Sequence, residues 1–301
     1  MTTDTKQQRT VLITGCSEGG IGFALAQEFH NRGLRVFATA RNLSKVEHLR
    51  ALVGVEIVQL DVADKASVRA AADEVAKLTG GRLDYLVNNA GAGYQCPLLD
   101  ADLDEGRKLF EVNIWGLLAV TQAFAPLLVE TAAKGGKPRV VNIGSIVSRV
   151  NVPWGGLYNA SKGALSTLND ALRMELRPLG VGVLHVITGG VSTKFYGNSA
   201  GQKLPEGSVY TPIAADIEKA VAGHTASSLQ TMTPETYARK VVSNVLSSWP
   251  TMTYWIGGQT WIGYLGVKFG WDSIRDLVIG YMTGMHALRQ KYLAATRGNK
   301  A

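Results

Sequence analysis

The stretch "TVLITGCSEGGIGFALAQEFHNRG", residues 10–33, decides the fold. It opens on an apolar run, residues 10–15, with the look of a buried strand. A glycine-rich turn follows, "TGCSEGGIG" at residues 14–22, with Gly15, Gly19, Gly20 and Gly22. Residues 21–33 then carry apolar side chains at helical spacing and stop at Gly33. Glycines between a strand and a helix let a backbone approach a pyrophosphate, and the helix start supplies amide donors and partial positive charge. A glycine string alone is weak evidence; in this strand–turn–helix setting it points to a dinucleotide.

Outward from that stretch, strand-like and helix-like segments alternate. Strands are expected at 34–40, 55–62, 83–91, 139–145 and 181–188, and helices at 42–54, 64–80 and 158–180. A long helical stretch at about 104–133 contains Pro126, which should kink it or mark a boundary. Such alternation implies an α/β fold, a doubly wound parallel sheet with helices on both faces. Ligands in such folds sit beyond the carboxyl ends of the strands. After residue 193 the rhythm is lost. Residues 195–233 form a Gly/Ser/Thr/Pro-rich region without a strong period, suited to a substrate loop. A helix at 234–248 and a last strand at 252–256 precede an aromatic, apolar extension, 258–301. There is no internal repeat and no clear boundary, so residues 1–301 are expected to form one domain.

Composition bounds the partners. The chain is 46% apolar and 18% charged, ordinary for a globular protein. Its net charge of +7 suits a solvated basic surface, an anionic cofactor or an acidic membrane. No dense Lys/Arg run interleaves with aromatics, so nucleic acid is not expected. Cys16 and Cys96 stand outside any CxxC or Cys/His pattern, which argues against disulfides and zinc and fits a reducing, cytoplasmic setting. The five scattered histidines read as surface or packing residues. The polar N-terminus lacks a signal-peptide core, and no uncharged stretch is expected to span a bilayer. At the end of the second strand, "ATARN" has no acid for a ribose 2′-hydroxyl but offers Arg41, whose planar fork matches a 2′-phosphate; NADP(H) is therefore favoured over NAD.

The segment "YNASK" places Tyr158 and Lys162 one helical turn apart, on one face. Together with the motifs upstream it resembles the short-chain dehydrogenase/reductase superfamily over about residues 10–193. The resemblance implies a Rossmann fold and a set of cofactor contacts. In the glycine turn these are Gly15, Ser17, Gly20 and Ile21. Arg41 follows, then Asp61 and Val62 of "LDV", with Asp61 matching the adenine contact. Asn89, Ala90 and Gly91 of "NNAG" line the cofactor, and Gly189, Val191 and Thr193 belong to "TGGVST", where Thr188 replaces the family's usual proline. Ser145, Tyr158 and Lys162 match the catalytic Ser, Tyr and Lys, with a typical interval of thirteen from Ser to Tyr. Asn113 in "FEVNIWG" matches the helix asparagine whose backbone binds a water leading from Lys162 to solvent. Within the superfamily the turn, "FATARN" and the TGG variant resemble the 1-acyldihydroxyacetone-phosphate reductases and related hydroxysteroid-type and natural-product ketone reductases.

A ketone needs a hydride on carbon and a proton on oxygen. A free phenol, with a pKa of ~10, is a poor acid near neutrality, and a neighbouring ammonium lowers that value. Tyr158 and Lys162 would thus supply the proton, with Ser145 donating to the carbonyl. The expected activity is NADPH-dependent reduction of a ketone to its alcohol. A redox-neutral dehydration, isomerisation or cyclisation on the same fold is the competing enzyme class. Trp154 and the aromatics of the extension suggest a bulky or apolar substrate bound with the 195–233 region, although core packing is the more frequent role of such side chains. The extension itself is open to burial, to a partner subunit of the same chain, or to peripheral contact with an intracellular membrane or lipid droplet.

Overall fold

The computed structural model describes residues 8–195, 204–225, 231–258 and 260–298. Seven strands form one sheet: β1 (Thr10–Ile13), β2 (Arg35–Ala40), β3 (Val55–Gln59), β4 (Tyr85–Asn88), β5 (Arg139–Ile143), β6 (Gly182–Thr188) and β7 (Thr253–Ile256). All pairs are parallel, in the order β3-β2-β1-β4-β5-β6-β7. The order reverses between β1 and β4, which opens a crevice at their carboxyl ends.

Helices cover both faces, because strands buried on both sides need apolar cover twice. On one face α1 (Ile21–Asn31) lies beside α7 (Pro234–Leu246), with Leu25, Phe29, Tyr237 and Val241 against Val11, Ile13 and Val36. On the other, α2 (Lys65–Thr79), α4 (Leu117–Ala133) and α5 (Gly156–Leu176) bring Val75, Val120, Phe124 and Leu172 onto Leu12, Leu86 and Val140. Each fully buried side chain of this kind contributes roughly 1.5–3 kcal/mol.

Four expectations need correction. Residues 42–54 are not one helix but two 3₁₀ turns, Leu43–Lys45 and Glu47–Ala51. Asn42 caps the first by accepting from Ser44 N, and Val46 leaves helical geometry (φ −126°) as it and Leu49 enter the core. Tertiary contact reinforces this, since Glu18 N donates to Lys45 O at 2.9 Å. In the long helical stretch, Pro126 does not set the break. It sits inside α4, while α3 (Leu103–Phe110) joins α4 through a π-helical turn, Glu111–Gly116. That run, Leu103–Ala133, is also long and apolar enough by composition to cross a membrane, contrary to the sequence expectation. Half of its apolar window is buried and Val120, Phe124 and Leu128 pack on the sheet, as in a core helix. Finally, the aperiodic region 195–233 contains α6 (Ala214–Thr225). Ile217 and Val221, four residues apart, supply its buried stripe, continued by Ile213 just before the helix.

The extension forms α8 (Thr260–Phe269), α9 (Asp272–Met282) and α10 (Met285–Gly298). Gly263 of α8 fits against Ile146, where a Cβ would come within 2.5 Å. Leu288 and Tyr292 of α10 join Trp154 and α6 in a separate apolar cluster, and Lys291 Nζ donates to Asp216 of α6 at 2.5 Å.

Candidate active site

The crevice between β1 and β4 is laced shut at its base. Thr14 Oγ1 accepts from the amides of Asn89 and Ala90, both at 2.9 Å, and Asn89 Nδ2 donates to Thr14 O (2.8 Å) and Gly15 O (3.0 Å). Gly15 has φ +72°, and a Cβ there would lie 2.9 Å from Ala90 Cα. A Cβ on Gly22 would meet Gly15 O at 2.4 Å. Only glycine allows these approaches. Above them α1 starts at Ile21 with no side-chain cap and no acid in its first turn, so its first amides face the crevice undischarged. Ser17 O accepts from Gly20 N at 3.0 Å and shapes the turn. Such a cradle fits the pyrophosphate of a dinucleotide.

Along the crevice, Arg41 is exposed just beyond β2. Asp61 lies just past β3, its carboxylate accepting from Ala63 N and its amide donating to Ser67 Oγ. Val62 O is approached so closely by the end of the π-helical turn that a Cβ on Gly116 would come within 2.8 Å. These three stand where an adenosine end would lie, with no acid at the Arg41 position.

Across the switch point Asn113, Tyr158 and Lys162 converge, and Ser145 lies at the end of the neighbouring strand. Ser145 follows β5, capping the 3₁₀ turn Ile146–Ser148. Tyr158 and Lys162 come from the first turns of α5, with Lys162 Nζ 6.0 Å from the Tyr158 ring centroid. Lys162 is buried, donates to Ile143 O at 3.3 Å, and burial pulls its pKa down to about 8. The π-helical turn aims Asn113 inward. Its Oδ1 accepts from Ala92 N (2.8 Å), and its Nδ2 donates to Ala92 O and Ser161 Oγ (both 3.0 Å). Gly91 completes the convergence: a Cβ there would be 3.3 Å from Asn113 Oδ1 and 3.6 Å from Lys162 Nζ. Behind these residues a buried amide relay ties the sheet to its helices, Asn169 Oδ1 accepting from Asn142 and Asn142 Oδ1 from Asn88. Among the histidines, His185 is a packing residue of β6; a Cβ on Gly144 would lie 2.2 Å from its Nε2.

The segment after β6 forms the cover. Thr188, in place of a proline, bonds the buried Tyr237 hydroxyl at 2.7 Å. Gly189 N donates to Ile256 O, Val191 bridges Met232, and Thr193 Oγ1 accepts from Phe195 N. Two neighbours of Thr193 were not singled out from sequence as cofactor or catalytic residues. The Lys194 stem crosses the glycine turn, its Cε 3.1 Å from where a Gly19 Cβ would stand. The Phe195 ring packs on Tyr158 at 6.0 Å between centroids. Neither carries a local motif, and only long-range folding reveals them. Trp154, open from sequence to substrate contact or to packing, packs edge-on to Tyr210 in the α6–α10 cluster. A cavity of about 900 Å³ beside it, lined by Asn159, Ala160 and Gly163, opens on the face of α5 away from Tyr158 and Lys162.

A parallel sheet of this order, with a glycine cradle at the switch point and Tyr158 above a buried Lys162 beside it, is the frame of a nicotinamide-nucleotide-dependent oxidoreductase. A family model described as short chain dehydrogenase matches residues 9–203, and the chain belongs to that family. As a member it binds NAD(P)(H) and a small substrate. It is 44% identical over 281 residues to the short-chain dehydrogenase ptmH of Penicillium ochrochloron, covering 93% of this chain and 99% of that protein. It is 44% identical over 209 residues to the NADPH-dependent 1-acyldihydroxyacetone phosphate reductase of Schizosaccharomyces pombe, covering 68% of this chain and 69% of that one. Among solved structures, a short-chain dehydrogenase from Streptomyces avermitilis superposes with a TM-score of 0.76 at 26% identity, covering 94% and 99% of the two chains.

Proposed function

We propose that the protein is an NADPH-dependent carbonyl reductase that converts a bulky or apolar ketone to a secondary alcohol, with Tyr158 as the general acid. The observation that carries this is the buried Lys162 ammonium beneath the Tyr158 ring, in the angle made by Gly91 and Asn113. When bound, the nucleotide supplies the hydride that goes to the carbonyl carbon. Ser145 holds the carbonyl oxygen by donating a hydrogen bond where negative charge develops. Tyr158 gives that oxygen its proton, and the Lys162 charge stabilises the phenolate left behind. Asn113 positions the 92 backbone and α5 through its clamped amide, and its own backbone serves the water path that reprotonates the site. Arg41, exposed and unopposed by an acid at the β2 end, favours NADP(H) over NAD(H).

The substrate class is a ketone with apolar bulk, such as an acyl dihydroxyacetone phosphate or a natural-product intermediate. Phe195 beside Tyr158, and Tyr94 in the cluster against it, support apolar recognition, as does the similarity to the fission-yeast reductase. Tyr158→Phe tests the acid. Ketone-dependent NADPH oxidation should fall by about a thousandfold or more, while NADPH affinity stays within about twofold of wild type. Undiminished turnover by that variant would remove Tyr158 from the chemistry. Conversion of substrate without net consumption of NADPH would assign the redox-neutral class instead.

A further inference from the structure

Ser145 is placed by the residue before it. Gly144 follows β5, where Ile143 O accepts from Lys162 Nζ at 3.3 Å and Gly144 N donates to Val186 O at 2.8 Å. An imidazole from the next strand closes a further side. A Cβ on Gly144 would stand 2.2 Å from His185 Nε2 and 2.9 Å from His185 Cδ2, well inside van der Waals contact. Gly144 is not among the glycines of positive φ, so the missing side chain, rather than backbone freedom, is what this position uses. From this interlock we infer that His185 is a positioning residue: through Gly144 it holds the backbone that carries the Ser145 hydroxyl. The inference rests on the reductase reading, in which that hydroxyl holds the carbonyl oxygen of the substrate.

The ring has little room to step aside. His185 is 1% exposed, in a strand paired on both sides, opposite Asn142 of β5 and Thr253 of β7. Burial first, then the charges of Arg149 and Lys162, with Asp170 opposing, lower its pKa to about 4, so near neutrality it acts through shape rather than charge. Its Nε2 has no hydrogen-bond partner among the described residues. A buried polar nitrogen left unpaired costs stability, so the core alone gives no reason for an imidazole here. Beyond Gly144 the chain is already fixed. Ser145 O accepts from Ser148 N (3.0 Å) and Ser148 Oγ (2.7 Å), and Ser145 Oγ accepts from Val147 N (3.4 Å). Having accepted that bond, the hydroxyl keeps its hydrogen to donate. The freedom left to Ser145 therefore lies at Gly144, against the imidazole. Displacing a group that meets developing charge by about 1 Å can slow a reaction about a hundredfold.

The test is a swap joined to a double-mutant cycle on the full chain. Gly144→Ala should lower the melting temperature of the wild type but not that of His185→Ala, where the new methyl enters vacated space. The same destabilisation in both backgrounds would overturn the interlock, whatever the ketone. With NADPH and either palmitoyl dihydroxyacetone phosphate or acetophenone as the probe, Gly144→Ala and His185→Ala should each cut kcat about tenfold or more. The two together should return it to within about threefold of wild type. NADPH affinity, within about twofold throughout, reports that the fold and the cofactor cradle are intact. In a Ser145→Ala background neither substitution should change the residual kcat by more than about twofold. A packing role alone would cost the same factor with or without the Ser145 hydroxyl, so equal factors in the two backgrounds would overturn the inference. Ser145→Ala as active as wild type would instead remove the reading of Ser145, and the inference with it.

Discussion

Lys194 and Arg41 approach the crevice from opposite walls and make separable predictions. Lys194 runs over Gly19, at the pyrophosphate end of the cradle, and NADH and NADPH share that group. Arg41 stands at the β2 end, where only NADPH carries an added phosphate. Lys194→Met should therefore weaken both nucleotides by the same factor, about five- to tenfold for an exposed charged contact. Arg41→Ala should weaken NADPH by about tenfold or more and leave NADH nearly unchanged. Titration of each nucleotide by protein-fluorescence quenching reads both; an equal loss for the two nucleotides in Arg41→Ala would take Arg41 away from the 2′-phosphate. Local order explains which of these residues sequence reasoning found. Tyr158 and Lys162 share a helical face, and Arg41 ends a strand, so spacing alone announces them. Lys194 meets Gly19 only because β6 and β1 end at the same rim, and no short window contains both.

Among the elements, α10 pins α6. Leu288 is buried with Trp154, Ile213, Ile217 and Val221, and Lys291 pairs with Asp216. Leu288→Ala should loosen this cluster by about 2–3 kcal/mol, the lower range for a buried Leu. The cluster is separate from the two main cores, so the loss should be local. Hydrogen exchange of α6 should quicken, with exchange in β1, β4 and β5 unchanged; unaltered exchange in α6 would disprove the linkage. The sequence revealed the strands and the long helices because burial on two faces leaves unbroken apolar runs. It concealed three elements for three reasons. The 42–54 crossover is tightened by its bond to the glycine turn. The π-helical turn at Glu111–Gly116 is set by Asn113 reaching Ala92, a long-range bond. The stripe of α6 is short and flanked by Gly, Ser and Thr.

At the scale of the whole molecule, His185 and Lys162 are buried in the α/β sandwich with depressed affinity for protons. His185 falls from the usual 6.5 to about 4, through burial first and then the charges of Arg149 and Lys162, with Asp170 opposing. Lys162 falls from 10.5 to about 8 through burial. In each window the unfolded chain binds the proton and the folded chain does not, so stability rises with pH from about 4 to 6.5 and again from about 8 to 10.5. Each window contributes on the order of 3 kcal/mol. Denaturant unfolding of the nucleotide-free protein across pH should show both rises. His185→Gln should flatten the lower one and Lys162→Met the upper; profiles unchanged by these substitutions would sever the link to these residues. Lys162→Met should also be more stable than wild type at neutral pH, so the ammonium is kept at the expense of the fold. Alternation along the chain made the sheet and its ligand rim readable in advance, yet it could not show how the extension returns from β7 to the loop after Ser145.

Lys194 rests on the glycine turn and Phe195 on the Tyr158 ring, one peptide bond apart. Two contacts so joined cannot be made and broken independently. A nucleotide seated under Lys194 should therefore hold Phe195 on the phenol, and the expected kinetic pattern is nucleotide on first and off last; product inhibition that shows random addition would break this coupling.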